Sequence, residues 1–237
     1  MIDRDYRLNG TIMIHQPHFM PWVHYIARMA IADVVVFLDD VPFRKYYFHN
    51  RTYFQRSDGS LLQITLPVEA GNSRIKLATT RIASSRHKDK ILETTRHFYR
   101  KAPYFSSIWN DFKDGICNDQ NELCAYNVNL LKMIASTAGI RKQNIFFSSE
   151  FTKTSNASER INEICKELQL NSVLCGWGGS KAVHDLEFLK NNDVRLVSLP
   201  NKLKSPPRSV AHELFFNPEE IHKTIEFTRK QYLELLN

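Results

Sequence analysis

The run Asp33 to Leu38, DVVVFL, most limits what this chain can fold into. Valine is stiff at its branched carbon and favours strand backbone. A strand with one face in water alternates apolar and polar residues. This run does not alternate, so both of its faces must be buried, as in parallel sheets covered by helices on each side. The residues before it agree. Thr11 to Ile14 is short, apolar and β-prone. Pro17 and Pro21 break the next stretch into a loop, and Pro21 suits the first position of a helix. Trp22 to Ala32 reads as that helix, with Trp22, Ile26, Met29 and Ala30 on its apolar face. The opening is therefore β-loop-α-β, the unit of a doubly wound sheet.

Later segments extend the pattern. Asp40 to Gly59 is polar, aromatic and basic, either a long loop or an irregular hairpin. Leu61 to Val68 and Ile75 to Ile82 read as β, paired around Ala70 to Ser73. Arg86 to Ala102 is helical, Pro103 opens a second helix to about Ile116, and Glu122 to Ala138 makes a third, stopped by Gly139. Strands at Ile145 to Ser148, Ser172 to Cys175 and Val194 to Ser198 alternate with helices at Ser155 to Leu168 and Ala182 to Asn191. Pro200 to Pro207 is a loop, and Glu219 to Leu236 a periodic helix. The fold expected is α/β and Rossmann-like, with a mainly parallel sheet flanked by helices. It forms a single domain over residues 1–237, with a helical insertion at about 86–140.

Composition narrows the functional classes. A chain of 237 residues with 43% hydrophobic and 24% charged residues buries a real core and is not a disordered segment. Its 32 Lys and Arg against 25 Asp and Glu, a net charge of +7, attract anions. The basic residues are spread, with knots at Arg44-Lys45, Arg86 to Lys90 and Lys202 to Arg208, and no nucleic-acid motif accompanies them. Cys117, Cys124, Cys165 and Cys175 make no C-x-x-C pair, so neither a zinc site nor another metal centre is expected. Scattered cysteines, no signal-like leader and no apolar run of membrane-helix length point to a cytoplasmic protein without a membrane span.

Ligands of open α/β sheets bind outside the carboxyl ends of the strands. Three loops with polar groups follow expected strands. In the first, His15 can act as general base, with Gln16, His18 and Trp22 as ligand-binding neighbours. In the second, Asp39 or Asp40 can orient a histidine or hold a ligand hydroxyl, and Asn50 can stabilise an oxyanion. Arg44, Lys45 and Arg51 of the same loop can bind phosphate, by a two-pronged fork for arginine and as a point charge for lysine. In the third, Gly176-Trp177-Gly178-Gly179-Ser180-Lys181 can bring backbone N–H groups and the Lys181 ammonium to a phosphate. It is not the G-x-x-x-x-G-K-[ST] loop, and G-x-S-x-G and H-E-x-x-H are absent. Each group also has an ordinary structural reading: a loop histidine bonded to backbone, a turn-capping aspartate, a basic surface loop, a glycine turn.

The stretch IHQPHFMPWVHYIARMAIADVVVFLDDVPFRKYYFHNRTYFQ resembles the opening of the WbqC family. The pieces that carry the resemblance are His15-Gln16-Pro17, Pro21-Trp22, Tyr25, Ala32-Asp33, Leu38-Asp39-Asp40-Val41, Lys45 and Asn50-Arg51. Lys101 to Phe105 (KAPYF), Ser158-Glu159-Arg160 and Cys175-Gly176 fit it too, so the likeness spans most of the chain. The sequence departs where the family commonly has asparagine, at His18, and glycine, at His24. The family's closing serine-leucine-aspartate pattern is replaced by Ser209-Val210-Ala211-His212-Glu213.

The resemblance implies a role in bacterial surface polysaccharide and O-antigen synthesis. The expected reaction is acyl or aminoacyl transfer to an amino sugar, carried on a nucleotide. A thioester on coenzyme A or a carrier protein is the expected donor, and no tightly bound cofactor is expected. Two other readings stand beside it. His15 and His18 have the H-x-x-H spacing of nucleotidylyltransferases, with Pro17 where that signature has glycine. A non-catalytic module that binds a sugar nucleotide or a carrier protein would also use these loops.

Overall fold

A computed structural model of the chain describes residues 5–69, 75–141, 144–176, 183–198 and 207–236. Among these, five strands form one parallel sheet: β1 (Leu8–His15), β2 (Ala32–Phe37), β5 (Asn144–Phe147), β6 (Ser172–Cys175) and β7 (Arg195–Ser198). Their order across the sheet is β5-β2-β1-β6-β7. The chain thus winds outward from β1 in one direction and then returns to its other side. The reversal puts a topological switch point between β1 and β6. His15 of β1 is level with Phe37 of β2, and Phe37 with Phe147 of β5.

Consecutive strand residues enter opposite cores, which is why the DVVVFL run cannot alternate. Met13 of β1, Val35 of β2 and Leu174 of β6 belong to one cluster of buried side chains. Ile12, Val36, Val173 and Cys175 belong to the other. The first cluster packs against α1 (Val23–Ile31), α4 (Leu123–Thr137), α7 (Val210–Phe216) and α8 (Pro218–Leu236). The second packs against α5 (Ala157–Leu168) and α6 (Leu186–Asn191). Both faces are covered, and the Rossmann-like α/β expectation holds.

Between β2 and β5 the chain adds an antiparallel hairpin, β3 (Arg51–Gln55) and β4 (Leu61–Thr65), and then the helices α2 (Arg86–Tyr99), α3 (Phe105–Ile116) and α4. These helices occupy the expected insertion. They share the larger core with the sheet, through Tyr99, Phe112 and Leu130 among others.

Two expectations need correction. Ile75 to Ile82 is not a strand partner of β4. Leu77–Thr79 makes a single 3-10 turn, and the segment's β pairing is limited to isolated bridges, Pro42 with Lys76, Val68 with Ile82 and Arg81 with Glu122. Its apolar residues are shared among several neighbours, so no ladder forms. Helix α7 was not expected; Ser209 caps it by accepting the Ala211 N–H at 3.2 Å. The turn expected at Ala70 to Ser73 lies outside the described residues.

Three of the cysteines, Cys124, Cys165 and Cys175, are buried as small apolar residues, and burial pushes the Cys124 and Cys165 thiols up to about 12. Among the described residues no helix is long and apolar enough to cross a membrane.

Candidate functional site

The loop after β1 is held from several sides. Asn127, fully buried on α4, donates its amide to the Pro17 carbonyl at 3.0 Å and to the His49 carbonyl at 2.7 Å. The Met20 carbonyl accepts from Thr52 Oγ1 at 2.6 Å and from Ser209 Oγ at 3.0 Å. The Val210 N–H donates to the Pro21 carbonyl. Met20 itself sits at φ +39, a left-handed conformation that a side chain rarely adopts. Such strain persists only where the surroundings over-determine it. Here the helical insertion, the hairpin and α7 all do so.

This bracing presents His15 at the end of β1. Its Nδ1 lies 3.0 Å from the Gln16 carbonyl, which also accepts the Tyr25 hydroxyl at 2.8 Å. A carbonyl only accepts, so Nδ1 carries the proton and Nε2 keeps its lone pair. Burial, then the nearby Arg28 guanidinium, lowers the His15 pKa to about 3, so the ring is neutral. Burial also raises the Tyr25 phenol, which stays a donor.

His15 lines a cleft of about 420 Å³, within the range of small-molecule sites. The cleft lies outside the ends of β1 and β2, where Ile14, Gln16, Leu38 and Val41 also line it. Arg44 and Tyr47 form one side, the Arg44 guanidinium resting 4.7 Å from the Tyr47 ring centre. Ala157, Arg160 and Ile161, from the first turns of α5, form another, with Val183 and His184. Asn156 caps α5 by accepting the Ser158 and Glu159 N–H groups.

Of the residues singled out in the sequence, His15, Gln16 and Arg44 meet in this cleft. The other described ones do not line it. His18 is fully buried in a cage of rings, with its centre 4.8 Å from His15, 5.2 Å from Tyr25 and 5.3 Å from Tyr47. Neither of its nitrogens has a hydrogen-bond partner among the described residues, and burial holds its pKa well below the usual value. Trp22 packs edge-on against Phe48 beside it.

Asp39 is buried and works as a lock. Its carboxylate accepts from Ser149 N–H at 2.9 Å and Ser149 Oγ at 2.6 Å and shares the one Ser148 hydroxyl proton with Asp40, tying the end of β2 to the chain after β5. Asp40 accepts from Ser148 Oγ at 2.6 Å and pairs with Arg160 at 3.3 Å. Asn50 donates its amide to the Leu66 carbonyl at 2.9 Å. Lys45 is exposed, and Arg51 stacks 4.6 Å from the Tyr46 ring centre. So the proposed cationic trio is divided, with Arg44 alone in the cleft. Gly176 ends β6 next to Arg28, while Trp177 to Lys181 lie outside the described residues.

Sequence reasoning passed over Tyr47, Arg160 and His184 as site residues. Only the helix start Ser158-Glu159-Arg160 carried a signal, being a helix that follows a strand of the sheet. It also passed over Arg28, which reads as an ordinary basic residue in the last turn of α1. Among the described residues no group of three His, Cys, Asp or Glu side chains is placed to hold a metal ion.

A family model described as the WbqC-like protein family matches residues 16–203. That span takes in the cleft from Gln16 to His184 and stops before Ser209, where the closing pattern departs. Uncharacterized protein Rv1507c of Mycobacterium tuberculosis (strain ATCC 25618 / H37Rv) is 25% identical over 179 residues, 75% of this chain and 77% of that protein. No solved structure matches the chain.

Proposed function

The chain belongs to the WbqC-like protein family, and from that premise we propose that it transfers an acyl or aminoacyl group from a thioester to the amine of a sugar, nucleotide-linked, for bacterial surface polysaccharide. The carrying observation is His15: its Nδ1–H is fixed on the Gln16 carbonyl, which leaves Nε2 as an acceptor in a residue that lines the cleft. Arg44 supplies a cation for the diphosphate at the same cleft.

In the proposed reaction the sugar amine attacks the thioester carbonyl carbon. A C–N bond forms, the C–S bond breaks, and the proton lost by the amine passes to His15 Nε2 and on to the leaving thiolate. A neutral ring is required at the start, and burial supplies it. In the unliganded site the ring is too weakly basic for efficient proton transfer, because ideal catalytic pKa values lie near the operating pH. A bound diphosphate offsets the Arg28 charge, the smaller of the two causes, and moves the ring upward, while burial, the larger, remains. The base is thereby strengthened by the substrate it serves.

The nucleotidylyltransferase reading needs both histidines at the triphosphate, and His18 is sealed away from the cleft. The test is mass spectrometry of purified protein with amino-sugar nucleotides and acyl thioesters, on coenzyme A and on a carrier protein. The expected result is a sugar product that gains the acyl mass with wild type and not with His15→Ala. Equal turnover by His15→Ala overturns the base assignment. Saturable binding with no turnover across the panel favours a binding module instead.

A further inference from the structure

Arg28 is 3% exposed, on the helix that follows the His15 loop. Among the described residues its Nε and Nη1 have no hydrogen-bond partner. None of the ion pairs among those residues includes it. Among the described residues its guanidinium carbon stands 5.7 Å from the Tyr25 ring centre. A buried charge without a partner is costly, and native chains ordinarily pair it or bind something to it.

Arg28 does not line the His15 cleft itself; it lies next to it, at the end of β6. Gly176 leaves β6 beside it, and a Cβ there would stand 3.5 Å from both Cζ and Nη1 and 3.6 Å from Nη2. Those near-equal distances place Gly176 over the flat face of the guanidinium. The N–H groups at the edge of the fork are left for an in-plane partner. Both neighbours, β1 and β6, flank the switch point where open α/β sheets bind ligands. His15, on the cleft wall, feels the Arg28 charge, as do His18 and His24.

We propose that Arg28 is an anion anchor beside this cleft: its Nε and Nη1 groups, unpartnered among the described residues, take an anionic oxygen group of the ligand, a phosphate or a carboxylate, at the β1–β6 switch point. The proposal rests on the His15 cleft being where the ligand binds, and it does not depend on the acyl-transfer reaction. It assigns anion recognition to a buried planar fork, with the exposed Arg44 in a secondary role.

The test measures binding, so its failure and the failure of the transferase reading are separable. Inorganic pyrophosphate and acetate are titrated by calorimetry and thermal melting into full-length wild type, Arg28→Met and Arg28→Lys, with chloride at matched ionic strength as control. Wild type is expected to bind pyrophosphate saturably. Arg28→Met should weaken that binding by about ten- to a hundredfold, the loss of charge-assisted hydrogen bonds. Unliganded Arg28→Met should melt at or above wild type, because it removes an unpaired buried charge. Binding of acetate but not pyrophosphate assigns a carboxylate as the anchored group. The proposal is overturned by wild type that responds to neither anion, or by Arg28→Met that binds them as wild type does. If Arg28→Met fails to fold, Arg28→Lys decides: it keeps the charge without the fork, so unchanged affinity overturns the proposal and reduced affinity supports it.

Discussion

Lowering the pH from about 7.5 to about 5 should remove a large part of this protein's stability, and buried histidines set the size of the loss. His18 and His49 have no exposed surface, and His15 is half-buried. Burial holds all three below the ordinary value of 6.5, His15 at about 3 and His49 at about 4, with the charges of Arg28 and Arg44 adding to the effect. In the unfolded chain each titrates near 6.5. Between that value and the folded pKa the unfolded state binds more protons, so stability is complete above about 6.5 and falls as pH falls through the window. One and a half units into it, at ~1.4 kcal/mol per unit, each neutral-locked ring costs ~2 kcal/mol. The three together approach ~6 kcal/mol, against a typical total of ~5–15 kcal/mol. His24, His184 and His212 act in the same direction; Glu213, raised by burial, acts in the opposite one.

Urea unfolding at both pH values measures this, and His18→Phe isolates one contribution. Phenylalanine suits a ring cage that offers the His18 nitrogens no hydrogen bond among the described residues. Whatever the variant's stability at neutral pH, its loss on acidification should be smaller than wild type's by ~2 kcal/mol. An identical pH dependence in the two proteins, or flat wild-type stability across the interval, would mean that neutral burial of these rings does not set the acid loss.

Two further outcomes follow from the same geometry. Asp39→Ala removes the acceptor of both Ser149 hydrogen bonds and leaves the Ser149 N–H without its partner. It should cost ~2–4 kcal/mol in denaturant titration, whereas a purely catalytic aspartate would leave stability unchanged. Asn127→Ala strips the Pro17 and His49 carbonyls of their buried donor. A loss of ~2–4 kcal/mol is expected, together with faster amide exchange in the loop from His15 to Trp22.

The sheet was legible because each central strand feeds two cores at once. Met13 and Ile12, or Val35 and Val36, leave no polar position for alternation to mark, and that absence is itself the signal. His15 and Gln16 were legible as a strand end in such a sheet. What local pattern could not show depends on distant chain. His18 has the spacing of a ligand pair, yet Tyr47, Phe48 and His49 fold over it from the next loop. Asp39 looks like a strand-end carboxylate free for chemistry, and Ser148 and Ser149, more than a hundred residues on, occupy it. Arg28 sits where an arginine complements a helix dipole at the surface. Only the packing of α1 under Gly176 reveals it as buried, with Nε and Nη1 unpartnered among the described residues.

The proposed acyl transfer requires the His15 cleft to receive the sugar amine. A crystal structure with an amino-sugar nucleotide bound decides this. The sugar is expected in the cleft, its amine within about 2.6–3.2 Å of His15 Nε2, and the Nδ1–H still on the Gln16 carbonyl. A sugar nucleotide bound elsewhere, or bound in the cleft with its amine turned away from His15, would contradict it.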